Sequence, residues 1–343
     1  MNKIIVRRMQ KTDVAAWDAF VDQCPGATFF HRAGWKEVIE ASFGHQAHYF
    51  LAENNRGILG VLPLVEMQHP IFGHALSSLP FCVYGGIAAR SDSAQSLLDA
   101  EAQRLATFLE VDHLEYKNLN QVHADWPSKD IYVTFRKPID PDVDQNMKNI
   151  PRKQRAMVRV GIKNGLSSAV SDDVDEFYRV FSDNQRRHGT PVLPKSYFKT
   201  LQRVFRKDCE MLNVLHEGRV ISSVLTFYFR DEVLPYYAGD LVEARALAAN
   251  DFKYWELMRR ACERGYRLFD FGRSKVGSGP FHFKKNWGFE PQPLHYEYKL
   301  FSGKGVPDKN PLSPKYRLFV AAWKRLPLPV ANLIGPHLVK HLG

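Results

Sequence analysis

The sequence predicts an α/β (α+β) fold of two tandem units, each a mixed, mostly antiparallel sheet with flanking helices. Length is the first reason: 343 residues with 45% hydrophobic content exceed what one core usually organises and suit two domains. The second is an order of elements that runs twice along the chain: helices, a hairpin, a tyrosine-glycine segment, a helix and a strand. The third is spacing. Tyr84-Gly85-Gly86 lies 153 positions before Tyr237-Ala238-Gly239, and Glu115 lies 155 positions before Asp270. A shared order at nearly constant offset marks a duplication.

In the first half an amphipathic helix is expected over Asp13–Cys24, carrying Val14, Trp17, Ala19 and Val21 and stopped by Pro25-Gly26. A second helix follows over Arg32–Ser42. Two apolar strands, Ala47–Ala52 and Ile58–Val65, flank the turn residues Glu53 to Gly57, a hairpin signal. After a loop at His69–His74 a strand region ends at Gly86, Ala94–Leu109 reads as helix and Val111–Tyr116 as strand. Ile131–Phe135 is taken to complete the half. The second half runs through helices at Val174–Arg187 and Lys195–Phe205, then a hairpin of Met211–Leu215 and Val220–Phe229 turning at Glu217-Gly218-Arg219. The expected division is residues 1–140, residues 141–300 opening with a basic helix over 146–165, and a basic tail over 301–343.

Chemistry concentrates in two stretches. In the basic helix, Arg152, Arg155, Arg159 and Lys163 recur at three or four positions and share a face, with Met157 and Val160 expected to look the other way. Cations without acidic partners at i+4 repel one another, so the stripe is either a solvated face or a clamp for phosphate. From Tyr254 to Glu290 the chain reads as helix, strand, glycine-rich turn and aromatic-cation cluster. Phe252, Trp255, Met258 and Cys262 fall on one helical face that must pack on something. Leu268–Phe271 alternates as a half-buried strand does, and Gly272 lets the chain turn. Asp270, Arg273 and Lys275 thus gather at one strand end. Gly277-Ser278-Gly279-Pro280 is expected to be irregular, and Phe281 to Lys285 to return with rings and cations, Lys284 standing between Phe283 and Trp287.

A net charge of +10 and pI near 9.3 favour acidic partners without choosing among nucleic acid, phosphorylated metabolites and anionic membrane. Cys24, Cys82, Cys209 and Cys262 form no CxxC pair, which fits a reducing compartment. No secretory leader and no run of eighteen apolar residues is present, so a cytoplasmic protein is expected. His45 and His48, or His337 and His341, lack a third ligand at metal spacing, and no metal is expected. No Gly-x-Ser-x-Gly elbow or cysteine nucleophile motif occurs, which disfavours a covalent intermediate.

The segments RKQRAMVRVGIKNG, YYAGDLVEARALAANDFKYWELMRRACERGYRLFDFG and the FK pair with its Gly-Phe ending resemble the FemAB (FemABX) aminoacyltransferases, over most of residues 27–298. RHGTPVLP at Arg187–Pro194 is similar to the FemAB-like proteins of exosortase/PEP-CTERM exopolysaccharide systems. The resemblance implies two GNAT-type subdomains and acyl or aminoacyl transfer to an amine, with no tightly bound cofactor. It implies a phosphate-bearing or lipid-linked glycan precursor as acceptor. By the same resemblance Lys284 neutralises the charge developing in acyl transfer, Asp270 and Gly272 mark the strand end, and Arg155 and Arg159 meet phosphate or RNA. The chain lacks the long coiled-coil insertion of some cell-wall members, so acyl-CoA and aminoacyl-tRNA both stay open as donors.

The remaining assignments carry two readings each. Asp270 either joins the catalytic groups or pairs with an arginine and caps a turn. Tyr237 either bonds substrate or fills the core. Arg273, Lys275, Gly277 and Gly279 lie in a loop one residue longer than the coenzyme A pyrophosphate loop of GNAT enzymes, yet its amides can nest phosphate. Phe283 and Trp287 are candidate substrate contacts. The tail places Tyr316, Phe319, Val320 and Trp323 on one face beside Lys324 and Arg325, and either packs on the domain or contacts the inner face of a membrane. A non-catalytic protein holding RNA or an anionic polymer on Arg152 to Lys163 is the rival of a different class.

Overall fold

The computed structural model describes residues 3–69, 73–303, 305–306 and 314–341. Residues 70–72 of the expected His69–His74 loop, and the side chain of Tyr316, lie outside the described residues. The chain divides into two compact units, Met1–Tyr132 with Pro293–Lys309 and Lys340–Gly343, and Val133–Gln292 with Asn310–Val339.

Strands are numbered in chain order. The first sheet holds β1 (Ile5–Arg8), β2 (Gln46–Asn54), β3 (Gly57–His69), β4 (Gly73–Ser77), β5 (Ala88–Ala89), β6 (His113–Asn118), β7 (Ser128–Lys129) and β16 (His295–Leu300). Its order is β1-β2-β3-β4-β6-β16-β7, with β5 beside β3. The second sheet holds β8 (Tyr132–Pro138), β9 (Ser167–Ser171), β10 (Cys209–His216), β11 (Arg219–Phe229), β12 (Glu232–Asp240), β13 (Leu268–Asp270), β14 (Ser274–Lys275) and β15 (Pro291–Pro293). Its order is β14-β8-β13-β12-β11-β10-β9, with β15 beside β8.

Read from opposite ends, the two seven-strand paths match one for one, β5 and β15 apart. Both sheets are mostly antiparallel, with a parallel pair in each, β4 with β6 in the first and β12 with β13 in the second. The hairpins expected from the sequence are β2-β3 and β10-β11. Two strands depart from the expected division. Ile131–Phe135 does not complete the first half, because β8 pairs with β13 in the second sheet, and β16 pairs with β6 in the first.

Helices flank both sheets. Val14–Gln23, Gly34–Phe43 and Asp92–Phe108 belong to the first unit, the last packing Leu98, Ala102 and Leu105 into its core. In the second, Ala249–Glu263 buries Phe252, Trp255, Met258 and Cys262, the face that periodicity marked. The expected basic helix is two helices, Val143–Asn149 and Arg152–Lys163, broken at Ile150-Pro151. A residue before proline avoids the helical region, and Ile150 has an extended ψ of 130°.

Met157 and Val160, expected to look away from the arginine face, are not the residues that the helix buries. The buried stripe is Gln154, Val158 and Gly161, while Met157 and Val160 are exposed. The reason is close approach: a Cβ on Gly161 would stand 2.8 Å from Phe252 Cβ, so the helix turns its smallest residue toward its neighbour.

Gly239 has a similar constraint. A Cβ there would lie 2.7 Å from Phe181 Cα and 2.9 Å from Val180 O, backbone atoms that cannot rotate away. Gly239→Ala should therefore destabilise the chain by about 1–3 kcal/mol, read as a lower denaturant midpoint with unchanged slope.

Candidate functional site

The candidate site is built by the chain reversal after β13. Gly272 adopts φ +66°, a left-handed conformation suited to glycine, and its N–H donates to Asp270 Oδ1 at 2.7 Å. A second reversal follows at Gly277, φ +75°. Ser278 Oγ then donates to Lys275 O at 2.7 Å and accepts from Phe281 N at 3.4 Å, capping a helix over Gly279–Asn286. Gly279-Pro280, expected to be irregular, is thus the first turn of a helix. Proline there is in its favoured place, because a first-turn N–H has no helical acceptor.

This helix turns Lys284 inward and leaves Lys285 and His282 outside. Lys284 is only 8% exposed. Its Nζ donates to Gly272 O at 2.9 Å and to Arg273 O at 3.1 Å, and stands 5.5 and 6.0 Å from the ring centres of Phe135 and Phe271. Burial lowers its pKa to about 7, with the Asp270 charge opposing and the Arg273 charge reinforcing that fall. Lys284 therefore passes between ammonium and amine near neutral pH. The two carbonyls fix the nitrogen in place, and rings on two sides exclude water.

Asp270 is wholly buried. Besides Gly272, it accepts from Thr134 Oγ1 at 3.2 Å and faces Arg136 Nε at 3.3 Å. Its counterpart in the first sheet is Glu115 on β6, which accepts from Ser77 Oγ at 2.7 Å and Tyr298 Oη at 2.6 Å. In both sheets a buried carboxylate is bonded to a hydroxyl on the antiparallel neighbour, β8 or β16. In the second sheet Asp270 pairs with Arg136 and caps the turn at Gly272.

Around Lys284 the structure gathers Asp270, Gly272 and Arg273, with Phe135, Phe271 and Phe281 close by. Arg273 is exposed and Lys275 half-buried, and nothing lies within 4 Å of a Cβ position at Gly277 or Gly279. Phe283 is half-buried against Tyr254, 5.5 Å between ring centres. Trp287 sits in the core and donates from Nε1 to Asp251 at 2.9 Å, so it braces the start of the Ala249–Glu263 helix. Tyr237 belongs to another cluster: its hydroxyl meets Tyr197 Oη at 3.0 Å among the rings of Phe181 and Phe198. Arg152 and Arg159 point to solvent, and Arg155 donates to Lys148 O at 3.1 Å.

One buried pair went unpredicted. Lys253 is fully buried and meets Asp240 at 2.9 Å. Asp240 also accepts from Ser222 Oγ, and its backbone carbonyl accepts from Arg187 Nη2. Burial pushes the Asp240 carboxyl up, but the Lys253 charge and these neighbours more than offset it. The available signal was a lysine within the apolar run Phe252 to Trp255.

Residues 145–285 match the model of the acetyltransferase (GNAT) domain. The matched stretch lies within the second unit. Lys284 lies inside that match. A UDP-N-acetylmuramoylpentapeptide-lysine N(6)-alanyltransferase of Weissella viridescens is 23% identical over 136 residues, 38% of this chain and 40% of the relative. The aligned stretch thus spans less than half of that relative. Among solved structures, FemX superposes with a TM-score of 0.68 at 17% identity, covering 85% of this chain and 97% of its own. A tandem GNAT protein from the clavulanic acid biosynthesis pathway superposes at 0.55 and 13% identity, covering 88% and 100%. The expected tandem GNAT-type fold is the fold of this chain.

A depressed lysine pKa has a definite sign in stability. Between pH 7 and the ordinary lysine range, the unfolded chain holds a proton that folded Lys284 has released, so stability rises with pH. This group should add about 2 kcal/mol between about pH 7 and 9, measured as the wild-type minus Lys284→Met difference in urea unfolding. A flat difference profile would refute the assignment.

Proposed function

We propose that the chain is an N-acyltransferase that moves an acyl or aminoacyl group onto an amine of a phosphate-bearing or lipid-linked cell-envelope precursor. The observation that carries this reading is Lys284, buried and held by two carbonyls beside the glycine-rich reversal of a GNAT domain. The acceptor amine attacks the acyl carbonyl, forming a C–N bond and an oxyanion. As ammonium, Lys284 supplies a fixed positive charge to that oxyanion, where preorganised charge is most effective. Collapse breaks the ester or thioester bond, and the proton lost by nitrogen goes to the leaving oxygen or sulfur. Orientation of the two substrates supplies much of the remaining acceleration.

The likeness to an alanyltransferase supports an aminoacyl-tRNA ester as donor, with the exposed Arg152 and Arg159 and neighbouring Arg155 as phosphate contacts. The domain match and the open Arg273–Gly279 reversal support acyl-CoA as the second reading. An exopolysaccharide or protein-sorting setting, at the cytoplasmic face of the membrane, is the wider context we propose from the RHGTPVLP segment. Tyr237, distant in its contacts from Lys284, is proposed only as a wall of the acceptor side.

Purified protein should be assayed by mass spectrometry with lipid-linked glycan acceptors and each donor in turn. Lys284→Ala should lower kcat by roughly 10²–10³; retention of full activity would sink the proposal. Because the acceptor amine reacts unprotonated while the working form of Lys284 is the ammonium, kcat/KM should rise with pH up to about 7 and level off above it. In Lys284→Ala the break near pH 7 should vanish, the residual rate continuing to rise.

A further inference from the structure

The last helix, Leu328–Val339, is docked with its small residues inward and its large ones outward. Ala331 and Gly335 are buried, Gly335 so close that a Cβ would stand 2.9 Å from Val192 N. Asn332 Nδ2 donates to Ser182 Oγ at 3.3 Å. On the other side Leu333 is 72% exposed, with Val330 and Ile334 at 38% and 40%, so positions i, i+3 and i+4 form one apolar outer face. In the preceding helix, Pro314–Trp323, Trp323 is buried, whereas Leu318 is 78% exposed and Phe319 39%. An ordinary surface helix shows the reverse pattern.

Charge selects what covers this face. From Lys309 to Gly343 the sequence has six Lys and Arg and no Asp or Glu, and Lys324 and Arg325, between the helices, are exposed. Two copies meeting through such tails would bring cations together with no carboxylate from either tail. Twelve residues of helix reach about 18 Å, short of the roughly 30 Å hydrocarbon core, and no helix among the described residues is long and apolar enough to cross a membrane.

We propose that the two C-terminal helices form an interfacial anchor for an anionic bilayer. Leu318, Phe319, Val330, Leu333 and Ile334 enter the headgroup boundary, and Lys324 and Arg325 pair with lipid phosphates. The inference stands independently of acyl transfer, and would bring the enzyme to a lipid-borne acceptor.

The test is co-sedimentation of the full chain with phosphatidylcholine vesicles, with and without about one third phosphatidylglycerol. Wild type should bind the anionic vesicles and be released by salt. Lys324→Glu with Arg325→Glu should weaken binding roughly tenfold or more, as should Leu333→Ser with Ile334→Ser, each variant keeping the wild-type melting temperature. Lys284→Ala should bind normally, which separates this proposal from the catalytic one. No wild-type binding, or undiminished binding by both pairs, overturns it. So does a concentration-dependent dimer that Leu333→Ser with Ile334→Ser abolishes while wild type ignores vesicles. If a pair misfolds, salt insensitivity of wild-type binding overturns the electrostatic half.

Discussion

The second unit depends on a carboxylate taken fully out of water. Asp270 has no solvent contact and is compensated by Thr134, Arg136 and the Gly272 N–H. An uncompensated buried carboxylate would cost several kcal/mol, so the fold must deliver those partners wherever it buries Asp270. That requirement fixes the reversal at Gly272, which points the carbonyls of Gly272 and Arg273 at Lys284. A structural carboxylate thus positions the buried Lys284 amine. The Asp270 field also keeps the Lys284 pKa from falling further under desolvation.

The first unit builds the same device from different parts. Glu115 is bonded by Ser77 and Tyr298, and Lys117 lies 3.9 Å away with its Nζ donating to Leu79 O at 3.4 Å. A second buried carboxylate, Glu297 on β16, accepts from Asn118, Val122 and His123, pinning the loop between β6 and β7. These groups are occupied in holding strands and loops.

Much of the architecture was legible because it rests on local periodicity. The helices at residues 174–188, 195–205 and 249–263 and both long hairpins lie where apolar spacing and turn residues put them. The duplication was legible because Glu115 and Asp270 are equivalent in structure as well as offset. Strand exchange was not legible: β8 and β16 read as good strands, but a strand's own pattern does not name the neighbour it pairs with. The face of the basic helix was misjudged because apolar Met157 and Val160 outweighed Gly161, whose value lies in having no side chain. The helix at residues 279–286 had its signals, Ser278 as cap and Pro280 in the first turn, masked by the surrounding glycines. At the site, the rings and cations pointed to Lys284, while Trp287 proved to be core and Tyr237 part of a separate ring cluster. The Asp240–Lys253 pair spans thirteen positions, beyond any helical or strand repeat.

The placement of β16 has a consequence for biosynthesis. The first sheet lacks its partner for β6 until residues 295–300 have been made, and the whole of the second sheet is encoded in between. At about 5–20 residues per second, the nascent first unit spends on the order of ten seconds or more with the outer edge of β6 unpaired, a template for wrong pairing. Production of this protein is thus tied to ribosome speed and to chaperone cover of that edge.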